Sequence, residues 1–298
     1  FFFFHKTSES SSNSFFLLSK ETAIVINNWF MMYFLSVVLI GTIYPIFLDV
    51  LSSQKISVGP PFYHKLIIPF LIPFLLIMAI GPKLKWIKSN LEDKAYLFTL
   101  LIISILLSIF IVKNYSSNFL INSILISSGL YLFFITLRDF FSKGFKNLAQ
   151  NIAHFGFSLL ILSILFNNLF STEIITNLKV GETFENTKAK IVFEGVSQKE
   201  EKNYKSIVAK FLIEDSKGKL ENLSPELRIY NQPNIATSEA DIKTTLLSDK
   251  FIVINIVQNQ EFFNVRYQVK PFMLWIWISV ILISFGGLVS FIKKEYEK

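Results

Sequence analysis

The sequence predicts a polytopic α-helical membrane protein, with about six transmembrane helices and one β-rich extracytoplasmic domain between the last two. Three observations carry that reading. Six apolar runs are long enough to cross a bilayer, one long polar stretch of alternating residues separates the fifth from the sixth, and Lys and Arg concentrate in alternate loops. Composition agrees. The chain is 52 % hydrophobic and only 17 % charged, against roughly 25 % charged in soluble domains.

The chain opens Phe1-Phe2-Phe3-Phe4, without Met or a charged leader. It reads as the tail of an apolar segment cut in the middle, so a fragment or a split subunit is expected. Residues 1–22 are then the end of a preceding helix and a cytoplasmic loop, whose Ser-rich piece Thr7–Ser14 is flexible. Residues 23–171 form a five-helix transmembrane region, with spans near Ala23–Leu48, Leu66–Ile80, Tyr96–Val112, Phe119–Leu137 and Ile152–Phe170. Pro69 and Pro73 predict a kink in the second span, the carbonyls they free being satisfied by neighbouring helices.

Residues 172–270 read as the β-rich domain. Phe263, Val265, Tyr267 and Val269 alternate with polar residues, and Ile207, Ala209, Phe211 and Ile213 do so less cleanly. Asp215–Lys219 and Asn259–Glu261 are hairpin-like punctuation. Residues 271–298 supply the last span, near Phe272–Ile292, and a cytoplasmic tail. Gly286, Gly287 and Ser290 read as a helix-packing face rather than a phosphate site.

Positive charge sets the orientation. Lys83, Lys85, Lys88 and Lys94 share one loop, Arg138, Lys143 and Lys146 another, and Lys293, Lys294 and Lys298 end the chain. The alternate loops hold Lys55 and Lys65, and Lys113. Six crossings put every rich loop on one side, so both termini are cytoplasmic and the β-rich domain faces the periplasm or its equivalent. The net charge of +7 thus belongs to membrane topology, and no nucleic-acid partner is expected. The absence of cysteine excludes thiol chemistry and Cys-ligated zinc in this chain. No nucleotide loop, Ser-His-Asp set or acidic metal cluster is visible.

His154 is the most informative side chain. It lies inside the fifth apolar segment, where an ionisable group costs roughly 2.5–3.5 kcal/mol if charged and tends to be functional. A neutral imidazole there offers a lone pair to haem iron, or a hydrogen bond to a neighbouring helix. Asn147, Asn151, His154 and Ser158 recur at helical spacing, and such a polar stripe must face protein. His64, beside Pro60-Pro61-Phe62-Tyr63, reads as an interfacial residue, and His5 as a solvated one. Trp275 and Trp277 open the last span as interfacial anchors or as a stacking platform for a planar ligand.

Four stretches resemble the CcmF/NrfE haem lyase family, in its order and spacing. They are Leu17-Leu18-Ser19-Lys20-Glu21 leading to Asn27-Asn28; Gly41-Thr42-Ile43-Tyr44-Pro45 with Ile56-Ser57-Val58-Gly59-Pro60-Pro61; Ala153-His154-Phe155-Gly156; and Lys270-Pro271-Phe272 leading to Trp275-Ile276-Trp277. Thr237–Ile242 resembles a further family segment. Together they point to the carboxy-terminal half of such a protein.

The resemblance implies a transmembrane b haem held by two histidines on different helices. His154 would be one axial ligand, and the second would lie outside this sequence, in an amino-terminal half. Asn151, Ser158, Trp275 and Trp277 are candidates for support of the haem pocket or platform. The Trp-rich loop for substrate haem and its two flanking external histidines also belong upstream, and His64 stands where the family has Asn. The resemblance further implies transient substrate haem from the chaperone CcmE, electrons from quinol, and covalent attachment to Cys-x-x-Cys-His sites of apocytochrome c with CcmH. It places the chain in a bacterial inner membrane, or a mitochondrial one if organelle-encoded, as a lyase subunit inactive alone. Two other classes compete: a haem or solute transporter, for which an inverted repeat is expected and none is visible, and a membrane-anchored partner-binding protein.

Overall fold

A computed structural model describes residues 18–52, 56–87, 94–115, 118–142, 147–215, 218–256 and 261–296. The expectations for Phe1–Phe4, His5, Thr7–Ser14 and Leu17 lie outside the described residues, as do Lys55, Lys88, Lys143, Lys146 and Lys298 of the charge argument and the side chains of Lys293 and Lys294. Among the described residues, six helices are long and apolar enough to cross a membrane. They are α1 (Lys20–Ser52), α2 (Pro60–Ile80), α3 (Lys94–Val112), α4 (Phe119–Ser142), α5 (Leu148–Phe170) and α6 (Met273–Tyr296). The chain is a multi-pass membrane protein, with a β-sandwich inserted between α5 and α6. Its contacts divide it into two compact units, Phe1–Asn151 and Ile152–Lys298.

In the first unit, Ser19 caps α1, its Oγ accepting the Thr22 N–H at 3.2 Å. The Glu21 carboxylate accepts the Ile87 N–H at 3.0 Å, and the Lys20 N–H donates to the Lys85 carbonyl. Lys20 and Glu21 therefore dock the start of α1 on the segment after α2. The second helix begins at Pro60, earlier than the apolar run suggests. Pro60 and Pro61 occupy its first turn, where no backbone N–H is needed. Pro69 leaves the Lys65 carbonyl without its helical donor. The Tyr33 hydroxyl of α1 reaches the adjacent Leu66 carbonyl at 3.0 Å. Tyr33 on Phe70 and Phe34 on Phe74, with ring centroids 4.3 and 5.5 Å apart, lock α1 to α2. A largely buried Lys83–Asp139 pair at 2.9 Å joins the end of α2 to α4.

The described residues of the second unit include ten strands in two antiparallel sheets. One sheet orders β1 (Thr172–Leu178), β10 (Phe263–Pro271), β9 (Ser248–Ile256) and β8 (Asp241–Thr244). The other orders β2 (Thr183–Glu185), β3 (Ala189–Glu200), β4 (Tyr204–Asp215), β6 (Glu226–Tyr230) and β7 (Ala236–Glu239), with β5 (Leu220–Leu223) also paired to β4. Val265 and Tyr267 of β10 point inward as their alternation predicts, meeting Ile252, Ile254, Ile191 and a stacked Phe193–Phe211 pair at 4.5 Å. The chain passes from one sheet to the other between β1 and β2 and again at Ala240, so the Thr237–Ile242 segment spans one of the sandwich's crossovers.

The sandwich is tied to its helices at both ends of its chain. Pro271 ends β10, Phe272 turns at φ +61°, and α6 begins at Met273. The Asn167 amide of α5 donates to the Pro271 carbonyl at 2.5 Å, and the Phe166 and Phe272 rings lie 5.5 Å apart. The expected packing face on α6 is corrected in part. Gly286 is buried, but Gly287 has nothing within 4 Å of an added Cβ and Ser290 is exposed. The close approach is instead at Gly156 on α5.

Candidate functional site

The site is built on the first half of α5. Asn147 lies just outside the helix at φ +59°, its carbonyl accepting the Asn151 N–H. The polar stripe inside the helix is therefore Asn151, His154 and Ser158. At 100° per residue these three lie within about 60° of one another around the axis. Asn151 and Ser158 are buried, at 6 % and 0 % exposure, while His154 is half-buried. The Ser158 Oγ donates to the Phe155 carbonyl at 2.8 Å. His154 is six residues into α5, about 9 Å along its axis.

Gly156 fixes what lies beside that stripe. A Cβ there would come 3.0 Å from the Ile283 backbone nitrogen and 3.0 Å from the Leu282 Cβ of α6. With Asn167 held to Pro271, α5 and α6 form an antiparallel pair: eleven residues up α5 match twelve down α6. In that register His154 is level with Phe285. Trp275 and Trp277 lie nearer the far end of the pair, roughly 12–15 Å from the His154 level. The Trp275 indole N–H donates to the Leu246 carbonyl at 3.0 Å, and Trp277 is exposed. The structure thus brings Asn151 and Ser158 to His154 and does not bring the two tryptophans there. Sequence reasoning missed Gly156 as a packing residue; its place two positions after His154 was the available signal.

His64 is exposed in the first turns of α2. Among the described residues no group of three or more His, Cys, Asp or Glu could cage a metal ion. A half-buried imidazole on an apolar helix is chemically suited to holding haem iron, which takes His ligands. A cleft of about 350 Å³ between α2, α3 and α4 offers serines and aliphatic side chains, but no imidazole.

The charged cluster of the sandwich is structural. The Lys250 ammonium lies 3.1 Å from Glu221 and 3.2 Å from Asp215, and Lys219 lies 3.0 Å from Glu221. These contacts staple β9 of one sheet to β4 and β5 of the other. Both Glu221 oxygens are buried and accept no well-aligned hydrogen bond, so the pairing is ionic contact. Burial pushes the Glu221 carboxyl up, but Lys219, Lys250 and Lys243 outweigh it and hold it below its ordinary value. Burial first, then the Glu221 and Asp215 charges, push the Tyr267 hydroxyl above its ordinary range.

Comparisons with known proteins agree with this architecture. Residues 169–271 match the family model described as the CcmF C-terminal beta-sandwich. The chain is 28 % identical over 276 residues to the cytochrome c-type biogenesis protein CcmF of Pseudomonas fluorescens, covering 88 % of this chain and 42 % of that one. It is 28 % identical over 285 residues to CcmF of Haemophilus influenzae, covering 90 % and 44 %. A solved structure of the cytochrome c haem lyase CcmF superposes with a TM-score of 0.70 at 21 % identity, over 92 % of this chain and 46 % of that one. The chain therefore spans less than half the length of the relatives it matches. Its resemblance to the carboxy-terminal part of CcmF extends over most of its own length.

Proposed function

We propose that this chain, similar to the carboxy-terminal part of CcmF, is one portion of a cytochrome c haem lyase and contributes His154 as an axial ligand of a b haem. The observation that carries the reading is an imidazole inside a membrane-crossing helix, accessible on a stripe with two buried polar neighbours. A neutral imidazole at this place in an apolar helix would offer a lone pair to haem iron. Asn151 and Ser158 set the polar side of α5, and Gly156 lets α6 approach closely enough to fix the helix that carries His154. His154 would hold a b haem that, when bound, would supply a redox centre between a quinol donor and the substrate haem.

The second axial histidine, and the surface that displays substrate haem, belong to an amino-terminal portion of the same protein or to a partner subunit. The working assembly then receives substrate haem from CcmE. With CcmH it attaches that haem to apocytochrome c as the thiols of a Cys-x-x-Cys-His segment add across its vinyl groups. The resemblance to CcmF points to a bacterial inner membrane, or its mitochondrial equivalent, and the Lys and Arg distribution supports an orientation with the sandwich outside.

The test is His154→Ala in the complete assembly. The reducible b-haem absorption should be lost or reduced at least tenfold, while substrate haem still docks. An unchanged b-haem spectrum refutes the ligand assignment.

A further inference from the structure

The hairpin joining β8 to β9 carries its least soluble residues at its tip. Thr244 pairs with Asp249, and the Thr245 N–H closes the turn on the Ser248 carbonyl at 3.0 Å. Thr245 Oγ1 donates to that same carbonyl at 2.7 Å and accepts the Ser248 N–H at 3.1 Å. This leaves a two-residue tip, Leu246-Leu247, with side chains 62 % and 64 % exposed. Tips of this length favour Asn, Asp and Gly. A leucine pair gains nothing there from turn geometry and loses by contact with water.

The tip is held at a particular place. The Leu246 carbonyl accepts the Trp275 indole N–H at 3.0 Å, and the Leu247 carbonyl accepts the Phe272 N–H at 2.9 Å. Both donors belong to the entry of α6, the level at which a membrane span leaves the hydrocarbon and Trp side chains gather. The exposed Trp277 of α6 and exposed Ile242 of β8 extend the apolar surface.

We propose that Leu246 and Leu247 form a lipid-dipping tip that inserts into the outer boundary of the bilayer and seats the sandwich on the membrane. The occupant is lipid because the tip is fixed to the mouth of a span, where acyl chains and headgroups meet. The proposal rests on α6 being such a span.

The chain has no cysteine, so Leu246→Cys and Leu247→Cys each give one site for a spin label. Full-length chain in phospholipid nanodiscs is compared with Leu288→Cys on the exposed face of α6. Lys202→Cys, on the β3–β4 tip at the opposite end of β4, is the aqueous control. The ratio of collision rates with oxygen and with a polar nickel chelate should be at least threefold higher at 246 and 247 than at 202. It should also be lower than at 288. A ratio equal to that at 202 overturns the proposal by showing the tip in water. Low collision rates with both reagents overturn it by showing protein over the tip. A lipid-like 288 with a water-like tip rejects the tip alone, whereas a water-like 288 rejects the span and the tip together.

Discussion

The ring of Tyr63 lies against the bare Cα of Gly41, so closely that a Cβ there would sit 2.6 Å from the tyrosine hydroxyl oxygen. The contact joins the Gly-Thr-Ile-Tyr-Pro stretch of α1 to the Gly-Pro-Pro-Phe-Tyr stretch that opens α2. Gly41→Ala should therefore destabilise the chain by about 1–2 kcal/mol through overpacking, although alanine is the better helix former by about 1 kcal/mol. In a Tyr63→Ala background the clash is gone, and the same change should become neutral or stabilising. Thermal unfolding of the four variants in detergent closes this cycle; equal losses in both backgrounds would show that the ring does not rest on Gly41.

Two other glycines make an opposed pair. Gly156→Ala must push α5 from the backbone of Ile283, which cannot rotate away as a side-chain end can. It should cost about 1–3 kcal/mol. Gly287→Ala meets open space and should be neutral or gain up to about 1 kcal/mol from helix propensity. Melting temperatures of the two variants should shift in opposite directions or differ clearly in size; a harmless Gly156→Ala would mean that α6 does not approach α5 there.

The inter-sheet staple has a pH signature. Glu221 is held below its ordinary value of 4.5 despite burial. A carboxylate depressed in the folded state stabilises above its unfolded value, and that contribution disappears as pH falls through the folded one. Stability should then drop below about pH 4.5, the unfolded value. Lys250→Met removes the cation that the two carboxylates share and leaves Glu221 buried with less compensation. It should cost about 3 kcal/mol near neutral pH, and the further loss on acidification should shrink. Urea titrations of wild type and variant at pH 7 and pH 4 measure both effects.

The spans were legible because each is a long uninterrupted apolar run, and β10 because its alternation survives at full length. The start of α2 was not: Pro60 and Pro61 look like a break, yet the first turn of a helix is where proline is tolerated. The short strands β2, β5, β7 and β8, three or four residues each, are too brief to show a period and exist through their pairing. At the site, His154 stood out because polarity is rare in an apolar run. Gly156 did not, since a glycine's close contact depends on which helix arrives beside it. The tryptophans near the start of α6 were read from their position alone; the hydrogen bond from Trp275 to the Leu246 hairpin is a tertiary fact with no local signal.

A bis-histidine site needs a second imidazole, and this chain should not supply it. Its other histidines are His64 and His5. His5 lies outside the described residues. His64 is exposed in the opening turns of α2, and the positive-charge pattern assigns that end to the outer surface. The same pattern assigns the start of α5 to the cytoplasmic surface, and His154 is only about 9 Å in from it. With that orientation, a bilayer core of about 30 Å would keep the two imidazoles too far apart in depth to share one iron, which each ligand must approach to about 2 Å. His64→Asn in the complete assembly should thus leave the b-haem spectrum unchanged, whereas His154→Ala should abolish it. Alkaline phosphatase fused near Asn222 should be active and fused near Lys88 inactive, since the depth argument depends on that orientation. Expressed without an amino-terminal portion, in cells lacking every other haem lyase, the chain should attach no haem to a reporter cytochrome. Covalent haem on that reporter would show that a second ligand and a haem-displaying surface are present within these residues after all.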